Sequence, residues 1–218
     1  MEPKRDWSRG FKVRDFKLYV IIDTKTAKGR DLVMVAREAA AGGADVIQLR
    51  EKELPAGRIV ELARAIRKAI RPEEAVFIVN DRPDIAVAAD ADGVHLGQDD
   101  LPPEAARAIM GKEKIIGVST HCLEQARAAE RRGADYIGVG PIFPTPTKPG
   151  YKSVGLELIR SVKDTVKLPF VAIGGIDCNN ISQVIAAGAG RVAVVRAVCG
   201  ADDVRTAART LKESLMNK

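Results

Sequence analysis

Aromatic side chains are scarce in this chain: five Phe, three Tyr and one Trp make up 4% of its 218 residues. Ala, Val, Ile and Gly take their place, a balance that suits strands buried on both faces and packed beneath helices. Cysteine is scarcer still. The three residues Cys122, Cys178 and Cys199 are odd in number and show no CxxC spacing. That pattern argues against a disulfide framework or a structural zinc site and fits a reducing compartment. No run is long and apolar enough to cross a bilayer, and the opening MEPKRDWSRGFKVRDFK lacks the apolar centre of a secretion signal. A cytoplasmic protein without a membrane partner is predicted. A concentrated basic patch is also missing. The net charge is +6, but the cations are spread, as at Arg64, Arg67 and Lys68 or Arg127, Arg131 and Arg132, beside glutamates. Such spacing reads as solvated helix faces rather than a nucleic-acid footprint. The positive balance still suits small anionic ligands.

What the chain does contain is a regular alternation. Short apolar runs begin at LYVII (residue 18), DVIQLR (45), AVFIVN (75), DGVHL (92), KIIGVS (114), YIGVG (136), FVAIGG (170) and RVAVV (191). Between them lie amphipathic stretches with helical spacing, such as DLVMVAREAAAGG and LPAGRIVELARAIRKAI. Several open on a capping residue or Pro and close on Gly. Strict strand–helix alternation implies a parallel sheet with right-handed crossovers. Eight such units with no break in composition predict one closed (β/α)8 TIM barrel over residues 17–218. Residues 1–16 then form a short N-terminal extension, placed to cover the barrel bottom. The recurring GGAD, RRGAD and AAGAG before strands 2, 6 and 8 read as structural helix ends.

In a barrel of this kind the chemistry gathers where strands end and the following loops begin. Strand 2 runs into QLREK, and a period of two aims Gln48, Arg50 and Lys52 into the mouth. Inward cations are costly unless a ligand or counter-charge meets them. Strand 3 ends at Asn80 and Asp81, and strand 4 is followed by HLGQDD with Asp99 and Asp100. Taken singly, Asp81 and Asp100 read as caps of helices opening near Pro83 and Pro102. Beside a basic strand 2, they fit a magnesium–diphosphate site, since magnesium takes few carboxylates and completes its shell with water and phosphate oxygens. Strand 5 delivers Ser119. The neighbouring His121 reads as a helix-start residue, and His95, inside an apolar strand, as a core histidine. Strands 7 and 8 end at Gly174–Gly175 and Val195–Arg196, the usual place for a backbone phosphate cradle. Between the two anion sites lies the proline-rich PIFPTPTKPGYKS, predicted to be a stiff lid over the mouth.

Together, QLREK, NDR with DGVHLGQDDLP, GVST, GVGPIFPTPTKP and AIGGI resemble the thiamine phosphate synthase family, in order from about Tyr19 to Val198. The resemblance implies a transferase that joins 4-amino-2-methyl-5-hydroxymethylpyrimidine diphosphate to a thiazole phosphate, with magnesium as cofactor. Thiamine phosphate and pyrophosphate would be the products. It further implies that Gln48, Arg50, Lys52, Asn80, Ser119 and Lys148 hold the pyrimidine diphosphate, with Arg50, Lys52, Ser119 and Lys148 taking the catalytic charge. Asp81 and Asp100 match the metal ligands. Thr145, Thr147, Gly175, Val195 and Arg196 match contacts to the thiazole phosphate. Arg196 stands where many members have serine, so a hydroxyl contact would be lost and a backbone contact kept. The rival readings are a thiazole tautomerase, which would not need the carboxylates, a non-catalytic thiamine-phosphate binding protein, and a phosphosugar isomerase. Small-molecule substrates are the predicted partners, and homo-oligomerisation is left open.

Overall fold

The computed structural model describes residues 16–146, 150 and 152–216. Eight parallel strands close into a barrel in sequence order. They are β1 (Leu18–Ile22), β2 (Val46–Leu49), β3 (Val76–Asn80), β4 (Gly93–Leu96), β5 (Ile115–Thr120), β6 (Tyr136–Val139), β7 (Phe170–Ile173) and β8 (Val192–Val194). β8 returns to pair with β1 through Leu18–Val192, Tyr19–Ala193 and Val20–Val194. The predicted TIM barrel is therefore the observed fold, and all eight predicted strands are present. Each reads as a continuous apolar run because its two faces meet two different cores.

The outer core lies between barrel and helices and takes in Leu18, Val20, Ile22, Ile47, Leu49, Phe77 and Val79. The inner core fills the barrel with Tyr19, Ile21, Val46, Val76, Ile78, Tyr136, Val171 and Ala193. Around the strands run α1 (Thr24–Ala27), α2 (Leu32–Ala41), α3 (Ala56–Ile70), α4 (Pro83–Ala88), α5 (Pro103–Met110), α6 (Leu123–Arg131), α7 (Gly155–Thr165), α8 (Ile181–Ala186), α9 (Arg196–Cys199) and α10 (Val204–Met216). α3 shows why they pack. Its buried residues Ile59, Ala63, Ile66 and Ile70 recur every three or four positions and form one stripe toward the barrel. The short α1, which helical spacing did not predict, is nucleated by Asp23, whose carboxylate accepts from the Thr26 N–H at 2.6 Å.

The bottom of the barrel explains the repeated sequence echo. Asp45 accepts from the Lys17 and Leu18 N–H groups at 2.8 and 2.9 Å. Asp92 accepts from Phe77 N–H at 2.8 Å, and Asp135 from Ile116 N–H at 2.7 Å. Each aspartate at the head of an even strand thus ties down the start of the odd strand before it, where the ladder would otherwise leave a donor unsatisfied. Lys212 from α10 lies 2.6 Å from Asp45, and Arg107 from α5 lies 2.7 Å from Asp135. Phe16 plugs this end. Its ring meets Tyr19 and Tyr136 edge-on, each at 6.0 Å between centroids, and the Arg191 guanidinium sits 5.7 Å over its face.

Candidate active site

The opposite end is open. A cavity of about 500 Å³ occupies the C-terminal mouth of the barrel. Gln48 and Arg50 from β2 and its loop, Asn80 from β3, His95 from β4 and Ser119 from β5 line one side. Gly174, Gly175, Val195, Arg196 and Ala197 line the other, with Thr145 between them. The side chains reach the mouth because the inward positions of the strands change from apolar near the bottom to polar at the top. β3 shows it, with Val76 and Ile78 in the inner core and Asn80 at the cavity.

Lys52 needs a correction. β2 ends at Leu49, so the alternation that aims Gln48 inward does not carry on to Lys52, which sits in the following loop and is absent from the cavity wall. Instead its ammonium lies 3.0 Å from the Asp81 carboxylate. Asp81 itself adopts φ +62°, a left-handed backbone conformation that Asp tolerates better than most residues. Its N–H is held by the His95 carbonyl at 2.8 Å. Across from it Asp100 accepts from the Gly97 N–H at 2.6 Å. Burial, and then the Asp81 carboxyl bonded beside it, hold the Asp100 pKa above the ordinary aspartate value.

Neither aspartate caps a helix. α4 has Arg82 at its N-cap and α5 has Pro102, both without a side-chain cap bond. The two carboxylates therefore face each other rather than the helices, an arrangement that a cation between them would relieve. Two hard oxygen donors facing each other fit magnesium, which takes few protein ligands. Among the described residues no group of three or more His, Cys, Asp or Glu side chains gathers to hold a metal.

The other wall is built from backbone. Gly174 and Gly175 take φ of +102° and +66°, which only glycine adopts readily. A Cβ on Gly174 would lie 2.4 Å from the Pro141 side chain, and one on Gly175 2.7 Å from the Pro144 carbonyl. The loop after β7 is thus pressed against the loop after β6. Ile142 N–H bonds to the Ile173 carbonyl at 2.8 Å, Phe143 N–H to Gly174 at 3.0 Å, and Val154 N–H to Pro141 at 2.8 Å. The described part of the predicted lid is therefore anchored along the end of β7. Thr147 and Lys148 lie outside the described residues. Opposite, Arg196 opens the short α9, where the first N–H groups of a helix have no carbonyl partner within it.

The two histidines both line the cavity. His121 keeps its helix-start position, its N–H donating to Gln125 Oε1 at 2.7 Å, and its ring nitrogen Nδ1 meets the Gly140 carbonyl at 2.5 Å. His95 is a bonded core histidine as expected, and also a wall of the site. Its Nδ1 lies 2.9 Å from Tyr136 Oη and its Nε2 2.9 Å from Ser119 Oγ. Tyr136 in turn bonds Tyr19 at 3.0 Å, and Gln48 Nε2 lies 2.6 Å from Tyr19 Oη. Sequence reasoning missed this buried polar chain. A signal was available at Gly117, the register partner of Tyr136, because a Cβ there would overlap the tyrosine ring at 2.2 Å.

An eight-stranded parallel barrel with facing carboxylates, cations and a glycine cradle at its C-terminal mouth is an α/β-barrel enzyme of the kind that handles phosphorylated small molecules. The model of the thiamine monophosphate synthase family matches residues 18–198, and the chain belongs to that family. It is 55% identical over 197 residues to the thiamine-phosphate synthase of Moorella thermoacetica, covering 90% of this chain and 94% of that one. It is 47% identical to the thiamine-phosphate synthase of Halalkalibacterium halodurans, over 88% and 92% of the two chains. The solved thiamine phosphate pyrophosphorylase from Pyrococcus furiosus superposes with a TM-score of 0.86 at 42% identity, over 93% and 96%. No helix among the described residues is long and apolar enough to cross a membrane.

Proposed function

We propose that this barrel joins 4-amino-2-methyl-5-hydroxymethylpyrimidine diphosphate to a thiazole phosphate, as a thiamine-phosphate synthase does. The observation that carries the reading is the meeting, in one cavity, of a polar wall with Gln48, Arg50, Asn80 and Ser119, next to which Asp81 pairs with Lys52, and a glycine backbone wall. The first suits a diphosphate and the second a monophosphate. Gln48, Arg50, Asn80 and Ser119 bind the pyrimidine diphosphate, joined by Lys52 from the rim and by Lys148. Gly175, Val195 and Arg196 hold the thiazole phosphate, with Thr145 and Thr147 adding hydroxyls. With serine replaced by Arg196, this contact rests on backbone N–H groups at the start of α9.

The reaction breaks the bond between the pyrimidine methylene carbon and its diphosphate oxygen, and the electron pair leaves with pyrophosphate. The aminopyrimidine delocalises the positive charge left on the methylene. The thiazole nitrogen then gives its lone pair to that carbon and forms the new C–N bond. Asp81 and Asp100 are the residues that would hold magnesium, which when bound supplies positive charge to the leaving diphosphate. Arg50, Lys52 and Lys148 add positive charge against the same group, and the two phosphate sites set carbon and nitrogen within reach. Catalysis is thus positioning and electrostatic stabilisation, with no protein nucleophile. The test is incubation of purified protein with both substrates and Mg²⁺, followed by ³¹P NMR or chromatography. Thiamine phosphate and pyrophosphate are expected in equal amounts. No product from the wild-type protein overturns the reading.

A further inference from the structure

The chain Gln48–Tyr19–Tyr136–His95–Ser119 begins and ends at the cavity but passes through the closed interior of the barrel. Its four links measure 2.6, 3.0, 2.9 and 2.9 Å. Gln48 and Ser119 line the cavity, while Tyr19 and Tyr136 are 1% and 2% exposed. Burial raises the pKa of both phenols, so each keeps its single proton.

Each hydroxyl, and a neutral imidazole, has one proton to give. The links therefore cannot orient independently. When Ser119 gives its proton to a ligand, Oγ accepts from His95 Nε2–H. His95 Nδ1 then carries no proton and accepts from Tyr136. Tyr136 accepts from Tyr19, Tyr19 accepts from the Gln48 amide NH₂, and Gln48 Oε1 is left for the cavity. When Ser119 gives its proton to His95 instead, every link reverses and the Gln48 NH₂ is left for the cavity.

We propose that Tyr19 and Tyr136 are positioning residues that couple the two ends of the substrate. An anionic group taking the Ser119 proton fixes Gln48 as an acceptor toward the cavity. The site thereby selects a heteroaromatic ring bearing an exocyclic amino group over the same ring with an oxo group. This rests on the reading that the diphosphate lies on Ser119. A site with a fixed hydrogen-bond direction rejects the wrong polarity strongly, because the mismatch leaves a buried group unpaired.

Two measurements decide it. The first is the side-chain ¹⁵N NMR of the full-length protein with pyrophosphate and Mg²⁺, which requires no turnover. Only two histidines are present, and His121 gives an internal contrast, because its Nδ1 faces a carbonyl and must carry the proton. His95 is expected as the Nε2–H tautomer. An Nδ1–H tautomer or an imidazolium at His95 overturns the coupling. The second is the ratio of kcat/KM for the amino-pyrimidine diphosphate to that for its 4-oxo counterpart. Tyr19→Phe is expected to lower this ratio at least tenfold while His95 stays Nε2–H, since the link from Tyr136 to His95 survives. Tyr136→Phe lowers the ratio as far, while His95 stays Nε2–H in the presence of the anion because its link to Ser119 survives. An unchanged ratio in folded Tyr19→Phe overturns the proposal. A wild-type protein that forms no product defeats the proposed function instead, and the tautomer measurement still decides the coupling.

Discussion

Asp45, Asp92 and Asp135 stand at the heads of even strands, whereas Asp81 and Asp100 follow the tails of β3 and β4. At the bottom each carboxylate is met by backbone N–H groups at 2.7–2.9 Å, with Lys212 beside Asp45 and Arg107 beside Asp135. At the mouth Asp100 faces a second carboxyl, which raises its pKa together with burial. The same residue type thus serves two ends. Where positive partners come from the protein, aspartate stabilises the fold. Where a second carboxyl and burial make its charge costly, it is kept at a cost in stability, the pattern expected of a residue retained for binding.

The comparison breaks most visibly at Asp81. Asp81→Ala removes one of the two facing carboxylates and the partner of Lys52. Turnover is expected to fall about a hundredfold or more, roughly 3 kcal/mol in the barrier, with the melting temperature little changed. Steady-state assay and thermal melting on the same preparation check it. A smaller effect of the opposite kind is expected at the bottom. Asp92→Ala leaves the Phe77 N–H without its acceptor in a residue only 3% exposed. A charge-assisted bond of this sort contributes about 1.5–3 kcal/mol. Urea unfolding should show a loss of that order, while kcat per folded molecule stays at the wild-type value. A turnover defect in Asp92→Ala without a loss of stability would erase the division between the two ends.

The barrel was legible because a strand buried on both faces leaves a continuous apolar run, and eight such runs admit few topologies. The place of Gly174 and Gly175 at the cavity was legible from the strand count, which set them just after strand 7. Lys52 was misplaced because alternation holds only while the strand lasts, and β2 stops at Leu49. Asp81 and Asp100 stayed ambiguous in sequence, since an aspartate just before a proline-led helix looks the same whether it caps the helix or turns away. Only the backbone, with φ +62° at Asp81 and no cap bond in α4 or α5, separates the two. Tyr19 and Tyr136 were hidden for a different reason. A tyrosine in an apolar strand reads as core, and its hydroxyl partners come from strands far away in sequence, 117 residues apart for this pair.

The most direct measurement takes one variant, Asp100→Asn, and reads both activity and stability. Asparagine keeps an acceptor for the Gly97 N–H and removes the charge facing Asp81. Because the folded pKa of Asp100 is raised, the folded state holds its proton more tightly than the unfolded chain. Its contribution to stability is therefore full below the unfolded aspartate pKa and is lost as pH rises through the folded value. With EDTA at neutral pH, Asp100→Asn is expected to melt at or above the wild-type temperature while its turnover with Mg²⁺ and both substrates collapses. A variant that melts lower yet turns over normally would contradict the division of labour between the two ends of the barrel.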